Sequence, residues 1–291
     1  MMNAGLPQSP ESGSPAVERR GGAAAVGLFP GFDEMEPERS PDAPRKTGLP
    51  RLWQMVRRDL WDDFRAGFLA LAGCLPFLLG MFFAVSLHAM PLAPLAGLLG
   101  GAAAGPQLCA LADTLLRGLR DDPVTGWGAY RKAWWRSARA ALLPGALSGA
   151  LLGVQIFLLL HAGVLQMGLP IAASLALGMA LLLGINLYLW PQMALMELSL
   201  GQLVKNSALL FVGQLPRTAA ALAFLGAYIL LSLRFFSLAL ALLPLTNFWL
   251  PALPALFLVY PGLNRAFRIE EKLRNPSGGP DGLSAGPRDP F

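Results

Sequence analysis

The chain has 291 residues, of which 54% are hydrophobic and only 14% charged, with a net charge of +5 and a mean hydropathy of +0.49. Soluble domains carry about 25% charged residues, so this composition excludes an ordinary globular protein. Between Ala66 and Asn264 there are nine basic and four acidic residues out of 41 charges, and long charge-poor runs of this kind mark spanning helices.

Residues 1–50 contain eight prolines and seven glycines, with little aliphatic content. Such a composition cannot bury a core, so a disordered N-terminal tail is expected. No apolar run follows Arg19 and Arg20, so a signal peptide is not expected. Residues 51–65, RLWQMVRRDLWDDFR, place Leu52, Val56, Leu60 and Phe64 at every fourth position. Trp53 and Trp61 flank that stripe and charges fill the other faces, which predicts an amphipathic helix lying in the membrane interface.

Six spans follow, at about 66–87, 91–112, 140–162, 169–195, 218–242 and 247–263, each near the ~20 residues a bilayer core requires. The expected fold is therefore all-α, a polytopic bundle of about six transmembrane helices. A second interfacial helix is expected after Glu197, in LSLGQLVKNS. The tail from 266 onward is basic, then Gly/Pro-rich, and expected to be disordered beyond Asn275.

Orientation follows from the loops. The segment 113–139 carries Arg117, Arg120, Arg131, Lys132, Arg136 and Arg139, and 196–217 carries Lys205 and Arg217. The stretches near 88–90, 163–168 and 243–246 contain no Lys or Arg. The positive-inside bias then puts both termini in the cytoplasm. Six of the seven tryptophans fall at the inner interface on this layout, leaving Trp249 outside.

Small residues give a packing expectation. Gly97, Gly101 and Gly105 in the second span, and Gly145, Gly149 and Gly153 in the third, recur at four-residue spacing. Each set makes a smooth stripe on one helix face, so the two spans should pack by close backbone contact. In the connection, Asp122-Pro123 reads as a helix start, and the helix after it should set Trp127, Tyr130 and Trp134 on one side. Asp113 and Arg117, one turn apart, can pair. This connection reads first as an interfacial elbow that fixes orientation; the alternative is a docking surface for a cytosolic partner or anionic lipid, comprising Arg117, Arg120, Trp127, Tyr130, Arg131, Trp134 and Arg136.

No motif for phosphate-loop, nucleophile-elbow or zinc-protease chemistry occurs, so no enzyme activity and no cofactor are expected. His88 and His161 are read as exposed residues at outer helix ends, and Cys74 and Cys109 as packing residues rather than a metal pair. The net positive charge is explained by the bilayer, and no nucleic-acid partner is expected. Intramembrane polar residues remain: Arg234 past the middle of the fifth span, Asn186 and Glu197 along the fourth, with Gln192 and Gln155 nearby. They would either line a solute path or join helices by hydrogen bonds.

Residues 105–145, GPQLCALADTLLRGLRDDPVTGWGAYRKAWWRSARAALLPG, and 190–218, WPQMALMELSLGQLVKNSALLFVGQLPRT, resemble the YesL-like family of bacterial membrane proteins of unknown function. The lead-in RRDLWDDFRAGFLALAGCLP is also similar, so the resemblance covers about 51–265. One departure is Arg65-Ala66, where members more often have Asn after the basic residue. The resemblance implies a five- or six-helix protein of the bacterial cytoplasmic membrane, often encoded near carbohydrate-uptake genes. It suggests an accessory to a sugar-transport system, and supplies no reaction or binding residues. The alternative is a small-solute transporter or channel.

Overall fold

A computed structural model of the chain describes residues 48–122 and 126–269. Most of the N-terminal tail, Pro123 with the helix start expected there, and the tail beyond Ile269 lie outside the described residues. Eight helices and no strand occur among the described residues: α1 (Leu49–Ser86), α2 (Leu92–Arg120), α3 (Gly126–Leu160), α4 (Leu169–Leu195), α5 (Leu200–Gly213), α6 (Leu215–Arg234), α7 (Phe236–Thr246) and α8 (Trp249–Phe267). Five of them (α1–α4 and α6) are long and apolar enough to cross a membrane, and the bent pair α7–α8 makes a sixth candidate. The chain is a multi-pass helical membrane protein.

The first three helices are longer than a bilayer needs. At 38, 29 and 35 residues they run about 57, 44 and 53 Å, against a hydrocarbon core of about 30 Å. The expected in-plane helix at 51–65 does not exist as a separate element; it is the first four turns of α1. The reason is local. No glycine or proline separates Arg51 from Ala66, and the buried stripe Met55, Asp59, Asp63, Ala66, Ala70 continues unbroken onto its neighbours. The polar ends of α1, α2 and α3 thus form a charged end of the bundle.

α2 lies between α1 and α3 and packs closely on both. Its glycines allow this. A Cβ on Gly97 would strike the carbonyl oxygen of Gly149, one on Gly101 that of Gly145, and one on Gly105 that of Ala141. Gly153 closes the register against the Ala93 carbonyl. The two helices therefore run antiparallel in backbone contact over four successive turns. Gly100 faces the opposite way and meets the Phe77 backbone of α1, a contact the four-residue pattern does not reveal.

The second half departs from the expected spans. The fifth, expected at 218–242, ends at Arg234, where Phe235 leaves helical geometry (φ −115°, ψ 48°). The sixth, expected at 247–263 and interrupted by Pro251, Pro254 and Pro261, corresponds to α8 (Trp249–Phe267), which joins α7 at a bend of 74°. The bend does not lie at the far side of the bundle, where 243–246 was expected. Asn247 donates to the Phe64 carbonyl of α1 at 3.4 Å, and a Cβ on Gly67 would collide with Asn247 and Trp249. Since α1 enters its apolar run at Ala66, the bend sits beside the charged end. Trp249, expected outside, is 6% exposed in the core. α7, at 11 residues, rises about 16 Å, only half a hydrocarbon core, so it cannot cross by itself.

α8 is buried along most of its length, against α1, α2, α4 and α6. Both described ends of the chain meet at the charged end: Arg51 donates to the Leu119 carbonyl at 2.6 Å, and Ile269 shares a cavity with Arg117 and Arg120.

Candidate functional site

The charged end is built by arginines that terminate helices. An α-helix leaves its last carbonyls without intrahelical donors. At the end of α2, Arg51 serves the Leu119 carbonyl and Arg58 serves that of Gly118 at 2.9 Å. Asp121 takes the left-handed cap position (φ 61°) and accepts from Arg58 at 2.8 Å. At the end of α4, Arg136 of α3 donates to the Ala194 carbonyl at 2.8 Å. Cations at helix C-termini are also favoured by the macrodipole. Asp59 and Asp121 hold Arg58 more firmly protonated than usual, chiefly through the hydrogen bonding of its guanidinium to the Asp59 carboxylate.

Asp113 sits at the centre. It is almost fully buried, accepting from Arg117 at 2.8 Å and from Arg136 at 3.2 Å. The i,i+4 pair with Arg117 is the one the spacing suggested, and Arg136 is the partner that only the fold supplies. Thr114 and Ser137 return their hydroxyls to the carbonyl four residues back and so need no external partner.

The residues of the expected docking patch divide between two faces of α3. Trp134 and Arg136, two positions apart, point about 200° away from each other on a helix. Trp127, Tyr130, Arg131, Trp134 and Trp135 line one cavity of about 250 Å³ with Leu69 of α1 and Gln107 of α2. There Tyr130 donates to Gln107 Oε1 at 2.6 Å and stacks on Trp127 at 6.1 Å. Trp127 and Trp135 are exposed, whereas Tyr130 is buried. Arg117, Arg120 and Arg136 instead surround a cavity of about 330 Å³, with Asp113, the end of α4 and the end of α8.

Asp63 was not singled out by its sequence position. It is 2% exposed in the polar part of α1, and its Oδ1 has no hydrogen-bond partner. Burial, reinforced by Asp59 and Asp62 and opposed by Arg58, pushes its carboxyl up to about 8. The only sequence signal was that 55, 59, 63 and 66 fall on one helical stripe.

The intramembrane polar residues do not converge. Gln192 donates to Ser207 of α5 at 3.0 Å, and Tyr188 shares a 2.7 Å hydrogen bond with Thr218 of α6. Asn186 donates to the Leu182 carbonyl of its own helix and lines an apolar cavity of about 230 Å³, its Oδ1 unpaired. Gln155 faces Gly178 of α4. Glu197 is exposed in the extended link between α4 and α5, beside a further cavity of about 500 Å³. Arg234 is exposed at the end of α6, with its guanidinium 5.6 Å from the Phe235 ring.

The two histidines, expected to be separate and exposed, come together at the end opposite the charged one. Their ring centroids are 5.1 Å apart, and His161 is 6% exposed, its Nδ1 2.9 Å from the Phe157 carbonyl. The turns α1–α2 and α3–α4 meet there, which sequence distance conceals. Among the described residues no group of three or more His, Cys, Asp or Glu is placed to hold a metal ion. Comparison with family models, with curated proteins and with solved structures finds no match to this chain.

Proposed function

We propose that the protein is a non-enzymatic accessory of a bacterial cytoplasmic membrane, with its charged end in the cytoplasm serving as a docking surface for a subunit of a carbohydrate-uptake system. The observation that carries the docking reading is the exposed face of α3. There Trp127, Arg131, Lys132 and Trp135 are exposed on a helix tied to α2 by the Tyr130–Gln107 hydrogen bond and the Arg136–Asp113 ion pair. Exposed indoles beside guanidinium groups are the side chains that dominate protein contacts. The cytoplasmic placement rests on the positive-inside bias, and the carbohydrate direction rests on the resemblance to the YesL-like family.

The test is photocrosslinking from position 135 in native membranes, followed by identification of the captured chain. A sugar-transporter subunit, lost when Trp127 and Arg131 are replaced by Ala and Gln, supports the reading. Recovery of lipid alone refutes it.

A second reading, a small-solute transporter, draws on one feature: α7–α8 is a broken helix pair with Arg234 just before it. Discontinuous helices and intramembrane charge are devices of transport sites. Solute flux into reconstituted liposomes that disappears with Arg234→Leu would favour it over docking.

A further inference from the structure

The cavity between α2, α3 and the ends of α4 and α8 gathers three guanidinium groups around one carboxylate. Asp113 is already satisfied by Arg117 and Arg136, so the lining keeps a net charge of +2, or +1 when Asp122 beside Arg120 is included. The arginines are held rather than loose. Arg136 is anchored on the Ala194 carbonyl, Arg117 on Asp113, and the Arg120 side chain is only 8% exposed. Arg120 Nε lies 3.0 Å from Asp122 Oδ2 without the alignment of a hydrogen bond, and it has no hydrogen-bond partner among the described residues.

A guanidinium has five N–H donors in a fixed fork. Arg117 spends one of them and Arg136 one shared nitrogen on the contacts above. Arg120 Nε is ion-paired with Asp122 but not hydrogen-bonded to it, a buried donor gains from an aligned acceptor, and guanidinium forks match the oxygens of phosphate. The volume of about 330 Å³ is that of a small-ligand site, and Leu195, Phe267 and Ile269 give it one apolar wall. The neighbouring cavity of about 500 Å³ shares Arg136 but adds Glu197 and no second arginine, so it is the poorer anion site.

We propose that the Arg117–Arg120–Arg136 cavity binds a phosphate group, carried by an anionic lipid or by a free phosphorylated small molecule. This does not depend on the docking reading, because the aromatic–basic face lies on the other side of α3.

The test uses the full chain in phosphatidylcholine nanodiscs and follows its thermal unfolding midpoint, which a ligand specific to the folded state raises with concentration. One arm adds inorganic phosphate; the other incorporates increasing phosphatidate. A saturable rise in the phosphate arm assigns a soluble ligand, and a rise confined to the phosphatidate arm assigns a lipid. In either case Arg117→Gln should weaken the response about tenfold or more, since one charge-assisted hydrogen bond is worth that much. Arg120→Lys should also weaken it, and Arg131→Gln, on the other face, should leave it intact. Arg117→Gln is the deciding variant because Arg136 continues to neutralise Asp113. No saturable rise in either arm overturns the proposal. So does an Arg131→Gln loss as large as that of Arg117→Gln, which would reveal diffuse surface charge.

Discussion

Gly101 of α2 and Gly145 of α3 face each other so closely that a methyl group on either would strike the other's carbonyl oxygen. Helix association in lipid gains nothing from the hydrophobic effect, so it depends on this kind of backbone approach. Gly101→Ala or Gly145→Ala forces the helices apart and should destabilise the protein by about 1–3 kcal/mol, the usual cost of overpacking. Gly226→Ala in α6, where nothing lies within 4 Å of the added carbon, should be neutral or slightly stabilising. Thermal unfolding in detergent, comparing the three variants, checks this. Equal midpoints would show that the glycine ladder is incidental.

Asp63 makes stability depend on pH. Its folded carboxyl titrates at about 8, well above the roughly 3.9 of an exposed aspartate. Below pH ~4 it is protonated in both states and imposes no penalty. Between there and pH ~8 the folded state binds the extra proton, so stability falls as pH rises, and it levels off above pH ~8. Unfolding midpoints should therefore decline across pH 5–8. Asp63→Asn, which cannot ionise, should flatten that decline and raise the midpoint by a few degrees at pH 8. A wild-type and variant difference that does not change with pH would contradict this origin.

Asn247 holds the α7–α8 bend with one side chain. Its Oδ1 accepts from the Trp249 N–H at 3.0 Å, its Nδ2 reaches the Phe64 carbonyl of α1, and its φ of 28° is uncommon for a residue with a Cβ. Asn247→Ala removes both contacts while keeping the strained backbone, and should cost roughly 1–3 kcal/mol. Hydrogen exchange localises the effect: protection should drop in residues 236–255 before it drops in α2. Uniform loss across the bundle would mean that the bend is not a separate unit.

Single cysteines report which positions share a side of the membrane. Cys74 and Cys109 are buried and leave the background low. Labels at Trp53, Arg131 and Arg268 should react from one side, and a label at Val164, exposed in the α3–α4 turn, from the other. Reaction of positions 53 and 164 from the same side in sealed vesicles would refute the arrangement.

Much of the first half of this fold was legible in the sequence. Period and length gave α2, α4 and the apolar parts of α1 and α3, because a bilayer demands a minimum apolar run and local composition satisfies it. Four-residue glycine spacing pointed to the α2–α3 contact, because that spacing puts residues on one helical face. Asp113 and Arg117 were recognisable as a pair for the same local reason. The second half was less legible. Largely apolar residues continue past Arg234 through Leu243, so the break at Phe235 could not be placed. A turn at 243–246 was expected, next to the bend at Asn247, but not the side of the bundle on which it lies.

The sequence by itself determined that this chain is helical, lives in a membrane and concentrates its charge in three segments, since transfer into lipid is set residue by residue. Only the tertiary structure decided which charges meet. Arg136 reaches Asp113 and Ala194, Asp63 loses its water, His88 finds His161, and the bend at Asn247 returns to Phe64. Each of these depends on burial and distance between segments far apart in the chain, and no local pattern encodes those.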